Sequence, residues 1–291
     1  MEEKTMAQNG TIEVARTGLN NGNTFSDYTR ATTYVSPSRL KTWLSCPLKY
    51  KLRYVDGIVT PTSPNLFLGQ VVHRGLEFYY RHRQRGVRLY PEFVGEHIKN
   101  TWGRAVDDEL ITFECSDEER QLQAKAIELV STYIAQVADD EPSPIAIEER
   151  FEAPLIDPRS GEDLGISLVG IIDLVLDEGK GPVICDFKTA ARSSSHLDLM
   201  HELQLSCYSY LFRKVTGKIE DGLEIRSLVK TKTPRIEVHR FGPRHAIHFE
   251  RLFDVIRAYL DAVSSNRYHI SPGFECSFCD FRETCAGTVG I

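Results

Sequence analysis

The sequence predicts an α/β (α+β) fold, a mixed central sheet flanked by helices, and three observations carry that prediction. Residues 166–176 and 183–189 are apolar runs rich in Ile, Leu and Val on either side of Glu-Gly-Lys-Gly-Pro at 178–182, the pattern of a β-hairpin. Ahead of this hairpin lie long stretches of helical periodicity. After it come a further helical stretch, two more strand-like runs and a last helical stretch, so strands and helices occur in separate runs within one chain.

In chain order, Ser36 with Pro37 marks a helix start, and residues 37–54 read as one or two short helices broken near Cys46-Pro47. A helix is predicted over 66–83 and a second over about 92–111. Ser116 and Glu119 have the spacing of a capping box ahead of a third helix at 119–138. Strands are predicted near 145–155, 166–176, 183–189, 223–231 and 235–241, with helices at 197–215 and 244–265. Residues 1–33, rich in Asn, Gly and Thr, are expected to be a disordered tail.

The hairpin also carries chemistry. Gly170-Ile171-Ile172-Asp173 occupies its first strand and Asp186-Phe187-Lys188 its second. Strand alternation puts Asp186 and Lys188 on one face, and a suitable register brings Asp173 to the same face. Asp and Lys two apart on a strand usually form only a surface ion pair of little worth. Here both acids sit inside apolar strands, where an unpaired charge is costly and tends to have a reason. Two converging carboxylates repel unless a divalent cation lies between them, and hard oxygen ligands suit Mg²⁺ or Mn²⁺. A lysine beside such a cation can orient water and offset charge building on a phosphate.

Two helices add to the set. His73 and Glu77 are four apart and share a helix face, as do Gln204 and Tyr208. The order His73, Gly170-x-x-Asp173, Asp186-x-Lys188, Gln204-x-x-x-Tyr208 resembles the PD-(D/E)XK nucleases of the RecB family over roughly residues 34–287. That resemblance implies a restriction-endonuclease-like core at about 145–265 inside a single domain, 34–291, with a helical insertion at about 75–140. In such nucleases the insertion arches over the active site and makes a passage suited to single-stranded DNA. The resemblance further implies that His73, Asp173, Asp186 and the Phe187 carbonyl hold the metal and that Lys188 positions the attacking water. It assigns Gln204 and Tyr208 to holding the lysine or the scissile phosphate. A histidine nitrogen among oxygens tilts the choice toward Mn²⁺. Glu77 and Glu149 are weaker candidates near the same elements. One departure from the family pattern is Thr189-Ala190-Ala191-Arg192, where many relatives have Thr-Gly after the lysine.

Seven cysteines stand at 46, 115, 185, 207, 276, 279 and 285. Cys276-x-x-Cys279 followed by Cys285 is a metal-cluster spacing that lacks a fourth thiolate. RecB-like nucleases with iron-sulfur clusters, the CRISPR-associated exonucleases among them, use one N-terminal and three C-terminal cysteines. The resemblance therefore implies a four-iron, four-sulfur cluster on Cys46, Cys276, Cys279 and Cys285 that joins segment 266–291 to the start of the domain. Structural zinc, which the spacing permits, is one alternative, and disulfides, which the lack of a secretory signal disfavours, are another. Cys115, Cys185 and Cys207 read as small buried residues.

The formal net charge is −6, yet it is unevenly spread. Residues 37–105 hold 12 Lys and Arg against 4 acids, and residues 226–240 hold 5 against 1. Residues 106–152, with 14 acids and 3 bases, set the overall sign. Basic zones flanking a phosphodiesterase site fit an electrostatic path for a nucleic-acid backbone, with Arg74, Arg81, Arg85 and Arg192 as candidate contacts. There is no apolar run of membrane-spanning length and no signal-peptide core in the first 33 residues, which predicts a cytoplasmic protein with no membrane partner.

The reading these features give is a metal-dependent DNA exonuclease acting on single strands or ends, in repair, recombination or phage-type DNA metabolism. A CRISPR-associated nuclease that trims spacer precursors with an integrase partner is one alternative, and a non-catalytic DNA-binding scaffold is another. No phosphate loop of the Gly-x-x-x-x-Gly-Lys-Ser/Thr kind occurs, so any unwinding would come from a helicase partner.

Overall fold

The long hairpin is the spine of the molecule. In the computed structural model, which describes residues 34–138, 140–177, 179–193 and 201–289, it is formed by β3 (Asp163–Asp177) and β4 (Pro182–Ala190). Four further strands complete a six-stranded mixed sheet: β1 (Tyr34–Val35), β2 (Pro144–Ile156), β5 (Gly222–Val229) and β6 (Arg235–Phe241). β2 runs antiparallel along the full length of β3. The opposite edge of β3 is shared: β1 pairs in parallel at Ser167 and Leu168, and β4 pairs antiparallel from Leu174 to Asp177. β4 then pairs in parallel with β5, and β5 antiparallel with β6. The two-residue β1 was not foreseen, being too short to show a period.

Helices cover both faces. On one side lie α3 (Pro64–Gln84), α4 (Pro91–Glu109) and α5 (Ser116–Gln136), whose apolar faces meet the sheet through Phe67, Leu76, Tyr80, Leu129, Tyr133 and Phe187. On the other lie α1 (Pro37–Ser45), α6 (Glu202–Thr216) and α7 (Ala246–Ser264), packed around Leu40, Leu168, Leu211, Phe212, Phe253 and Tyr259. α1 begins where predicted, with the Ser36 hydroxyl accepting from Arg39 N at 3.3 Å, and stops at Cys46 before α2 (Pro47–Tyr50). The segment of α6 predicted from 197 lies, up to residue 200, outside the described residues, as does the tail 1–33.

Two expectations need correction. The Ser116/Glu119 capping box does not form: the cap position is Cys115, which makes no side-chain cap bond, and Glu119 instead accepts from Trp102 Nε1 at 2.9 Å. Burying the indole required a partner, and that need decided where the carboxylate went. Cys115 is exposed, whereas Cys185 and Cys207 are buried as expected. Of the helical insertion, α4 and α5 contribute no residue to the cavity described below. It is a layer on one sheet face, because the apolar stripes of α3, α4 and α5 are buried against one another and the strands.

A small third core at the chain's far end joins Leu48 and Leu52 to Phe281, between α2 and α8 (Arg282–Val289). Leu48 N donates to His269 O at 3.0 Å and Arg53 pairs with Asp280 at 2.9 Å, so the N- and C-terminal parts of the domain are in contact there.

Candidate active site

β3 and β4 part company after the Leu174–Cys185 pair, and the divergence makes the site. One step further along each strand stand Asp173 and Asp186, so continuing the register places them across from each other on one face. Both are buried, at 7% and 1% exposure. Gly170 explains how a helix reaches them. A Cβ there would come within 2.8 Å of Leu211 Cδ1 and 3.4 Å of Tyr208 Cε1, so only glycine allows α6 to lie this close to β3.

α6 brings Gln204 and Tyr208 on one face. Gln204 Nε2 donates to Asp186 Oδ1 at 2.9 Å and to Tyr208 Oη at 2.8 Å, fixing the orientation of the carboxylate. Lys188 Nζ lies 2.8 Å from Asp186 Oδ1 and 2.6 Å from Oδ2. Asp173 Oδ2 accepts from Phe187 N at 2.7 Å, which ties the first strand's acid to the second strand's backbone. From the other side of the sheet, α3 supplies His73. Its Nε2 is 3.1 Å from the Phe187 carbonyl, and its Nδ1 is 3.3 Å from Glu148 Oε1 and 3.6 Å from Asp173 Oδ2.

Both nitrogens of His73 thus face acceptors, which suits the imidazolium. Burial alone would lower its pKa, but the charges of Asp173 and Glu148 more than offset this and raise it to about 9. Asp173 is pushed upward by burial, with Asp186 and Glu148 adding to the push and His73 opposing it. Three carboxylates and one proton are crowded together here. Such a group is stabilised by a positive charge, and in the free protein His73 and Lys188 supply it.

The donor set fits a divalent cation. The nearest ligand atoms of His73, Glu148 and Asp173 all lie within 4.8 Å of one another. Asp186 Oδ2 is buried and accepts no hydrogen bond, so its contact with the Lys188 ammonium is electrostatic only. Four oxygens and one imidazole nitrogen, with Asp186 and the Phe187 carbonyl at the edge, are hard ligands appropriate to Mg²⁺ or Mn²⁺. Such an ion, when bound, supplies Lewis-acid polarisation of a phosphoryl oxygen and lowers the pKa of water. Lys188, 28% exposed and facing the cavity, is placed to hold a water beside the acids once it no longer pairs with Asp186.

Glu148 is the residue that sequence reasoning missed, having favoured its neighbour Glu149. In the β2–β3 register Glu149 is the partner of Ile172, which leaves Glu148 across from Asp173, and only Glu148 lines the cavity. Its backbone is left-handed, with φ of 43°, a costly conformation for a glutamate that recurs where function fixes a side chain. The doubled Glu148-Glu149 in the sequence gave no means to choose.

The remaining candidates lie outside this cavity, although Glu77 and Arg74 border a shallower depression of about 360 Å³ together with His73 and Glu148. Glu77 pairs with Arg81 at 2.8 Å, and Arg81 also donates to the Ile147 carbonyl at 3.1 Å. Arg74 pairs with Glu109 at 2.7 Å. Arg74, Arg81 and Arg85 border a shallow depression between α3 and α4, and Arg192 is exposed on the bend after β4. Cys46, Cys276, Cys279 and Cys285 line one cavity of about 240 Å³ beside the third core. Among the described residues no three of these sulfurs come within 4.8 Å of one another.

The acids, lysine, glutamine and tyrosine line a half-open cavity of about 720 Å³. A mixed sheet with two acids and a lysine on a splayed hairpin, and a histidine from a flanking helix, defines a metal-dependent phosphodiesterase. The family model of the PD-(D/E)XK nuclease superfamily matches residues 34–286, and the chain belongs to that superfamily. It is a nuclease. No match was found among curated proteins. Of solved structures, a candidate exonuclease from Eubacterium rectale is similar at 13% identity with a TM-score of 0.53, over 92% of this chain and 93% of that one. The structure of SSO0001 is a looser likeness, with 14% identity and a TM-score of 0.37 over 76% of this chain and 98% of that one. The first of these likenesses bears on the fold alone. No described helix is long and apolar enough to cross a membrane.

Proposed function

We propose that the chain is a Mg²⁺- or Mn²⁺-dependent DNA exonuclease acting on single strands or frayed ends. The observation that carries this reading is the convergence of His73, Glu148, Asp173, Asp186 and Lys188 at one end of a cavity that Gln204 and Tyr208 also line. His73, Glu148, Asp173, Asp186 and the Phe187 carbonyl would hold the ion. Lys188 would hold the attacking water, and Gln204 would keep Asp186 aimed. A cavity of about 720 Å³ has the size of a small-ligand site, room for a nucleotide or two of one strand, whereas the B-form duplex is far wider. DNA metabolism, with a helicase or integrase as partner, is the setting in which such an activity would serve.

The test is digestion of single-stranded DNA labelled separately at its 5′ and 3′ ends, with Mg²⁺ and with Mn²⁺, beside a closed single-stranded circle of the same length. Stepwise loss from one end with the circle intact is expected. Equal rates on circle and linear strand would move the activity to an endonuclease with the same metal site.

The same reading gives the four cysteines a four-iron, four-sulfur cluster. All four cysteines line one cavity beside the third core, which is the arrangement either such a cluster or a structural zinc would need. Anaerobically purified protein should contain iron and sulfide and absorb broadly near ~400 nm. Cys46→Ser should lose iron as completely as Cys279→Ser. Stoichiometric zinc without iron would replace the cluster with a structural zinc site.

A further inference from the structure

The catalytic cavity has a second wall that the metal-site acids do not use. It is built by the first turns of α1, with Ser36, Ser38 and Lys41, and by His201 immediately ahead of α6. His201 is 8% exposed. Its electrostatic neighbours are Lys188 and Asp186 of the metal side and Lys41 of α1, and all four residues line the one cavity. Burial, followed by the two lysines, lowers the pKa of His201 and keeps it neutral.

Among the described residues Lys41 makes no ion pair, whereas Lys188 is matched by Asp186. An ammonium at a cavity wall without an acid of its own is a place where an entering anion is stabilised. The hydroxyls of Ser36 and Ser38, 3.1 Å apart, add donors at the same wall. A phosphate held by Lys188 and by a cation on the metal-site acids would leave the next phosphate of the strand to be met by Lys41.

We propose that Lys41, assisted by Ser38 and His201, binds the phosphodiester adjacent to the scissile one and so sets the strand's register over the metal centre. This rests on the nuclease reading of the same cavity. Lys41 and His201 are here positioning residues, since neither touches the reacting atoms.

Two measurements test it. In an Asp186→Ala background, which cannot consume the probe, binding of a single-stranded oligonucleotide is followed by fluorescence anisotropy against salt. Lys41→Ala should weaken binding about tenfold and reduce the log-log salt slope by roughly 0.7, the loss of one single-strand phosphate contact. In the active protein, a substrate with a neutral methylphosphonate next to the scissile phosphate should be cleaved about tenfold less efficiently by the wild type. Lys41→Ala should lose nothing more on that substrate than on the native one, because the contact is already gone. Losses that multiply, or an unchanged salt slope, would overturn the assignment. A wild-type protein that binds with the Lys41-dependent slope yet never cleaves would instead remove the nuclease reading and keep the phosphate site.

Discussion

Replacing Gly170 with alanine should damage stability and catalysis together, through one added methyl group. The new Cβ would lie 2.8 Å from Leu211 Cδ1 and 3.4 Å from Tyr208 Cε1, and Leu211 is fully buried in the core between the sheet and α6. Overpacking of this kind costs about 1–3 kcal/mol. At roughly 2–4 °C per kcal/mol for a domain of this size class, Tm should fall by about 2–12 °C. Relief of the clash pushes α6 off β3 and carries Tyr208 and Gln204 away from Asp186. A displacement of about 1 Å near reacting groups can cost up to a hundredfold in rate, so kcat should drop about ten- to hundredfold with little change in substrate binding. Thermal unfolding and single-turnover cleavage, measured on the same preparation, read the two effects. Leu211→Val removes the opposing methyl, and Gly170→Ala with Leu211→Val should recover part of both losses. Unchanged Tm and rate in Gly170→Ala would refute the close packing of α6 on β3 as the device that places Gln204.

Metal affinity should rise with pH up to about 9 and then level off. His73 carries a proton below that value in the free protein, and a cation must displace it; calorimetry in buffers of different ionisation enthalpy should find a proton released near neutral pH, and pH-independent affinity would contradict the site. Glu148→Ala should weaken Mn²⁺ binding, read by titration calorimetry, by about tenfold or more as a charged ligand is lost, while Glu149→Ala should not. Arg226→Met should destabilise the protein by about 3 kcal/mol, measured by chemical denaturation. It strips the buried guanidinium from Glu141 and Glu224 and from the Tyr80 and Tyr133 hydroxyls, with Arg240 and Arg83 left as weaker partners.

Local pattern made much of this legible. The hairpin, its turn, α1's Ser36-Pro37 start and the Cys46-Pro47 break follow from propensities that act within a few residues, and each lies within three residues of its prediction. The site's strand and helix contributions were readable for the same reason, since Asp186/Lys188 and Gln204/Tyr208 have their spacing set by a single element. What failed depended on tertiary partners. Choosing Glu148 over Glu149 needs the β2–β3 register and a left-handed backbone. Glu119 left its expected cap for the Trp102 indole. The placement of α4 and α5 as a layer, away from the cavity, follows from which apolar stripes fit together, and periodicity gives a stripe without its partner.

The central claim is that Asp186 holds a cation while Lys188 serves the chemistry beside it. Mn²⁺ binding and single-strand cleavage, measured on Asp186→Ala and Lys188→Ala, separate those roles. Asp186→Ala is expected to lose both. Lys188→Ala is expected to bind Mn²⁺ as tightly as the wild type or more so, because its ion pair with Asp186 at 2.6 Å no longer competes, yet to cleave at least about a hundredfold more slowly, in line with loss of a group that acts in the transition state. Wild-type cleavage by Lys188→Ala, or wild-type Mn²⁺ binding by Asp186→Ala, would contradict the account.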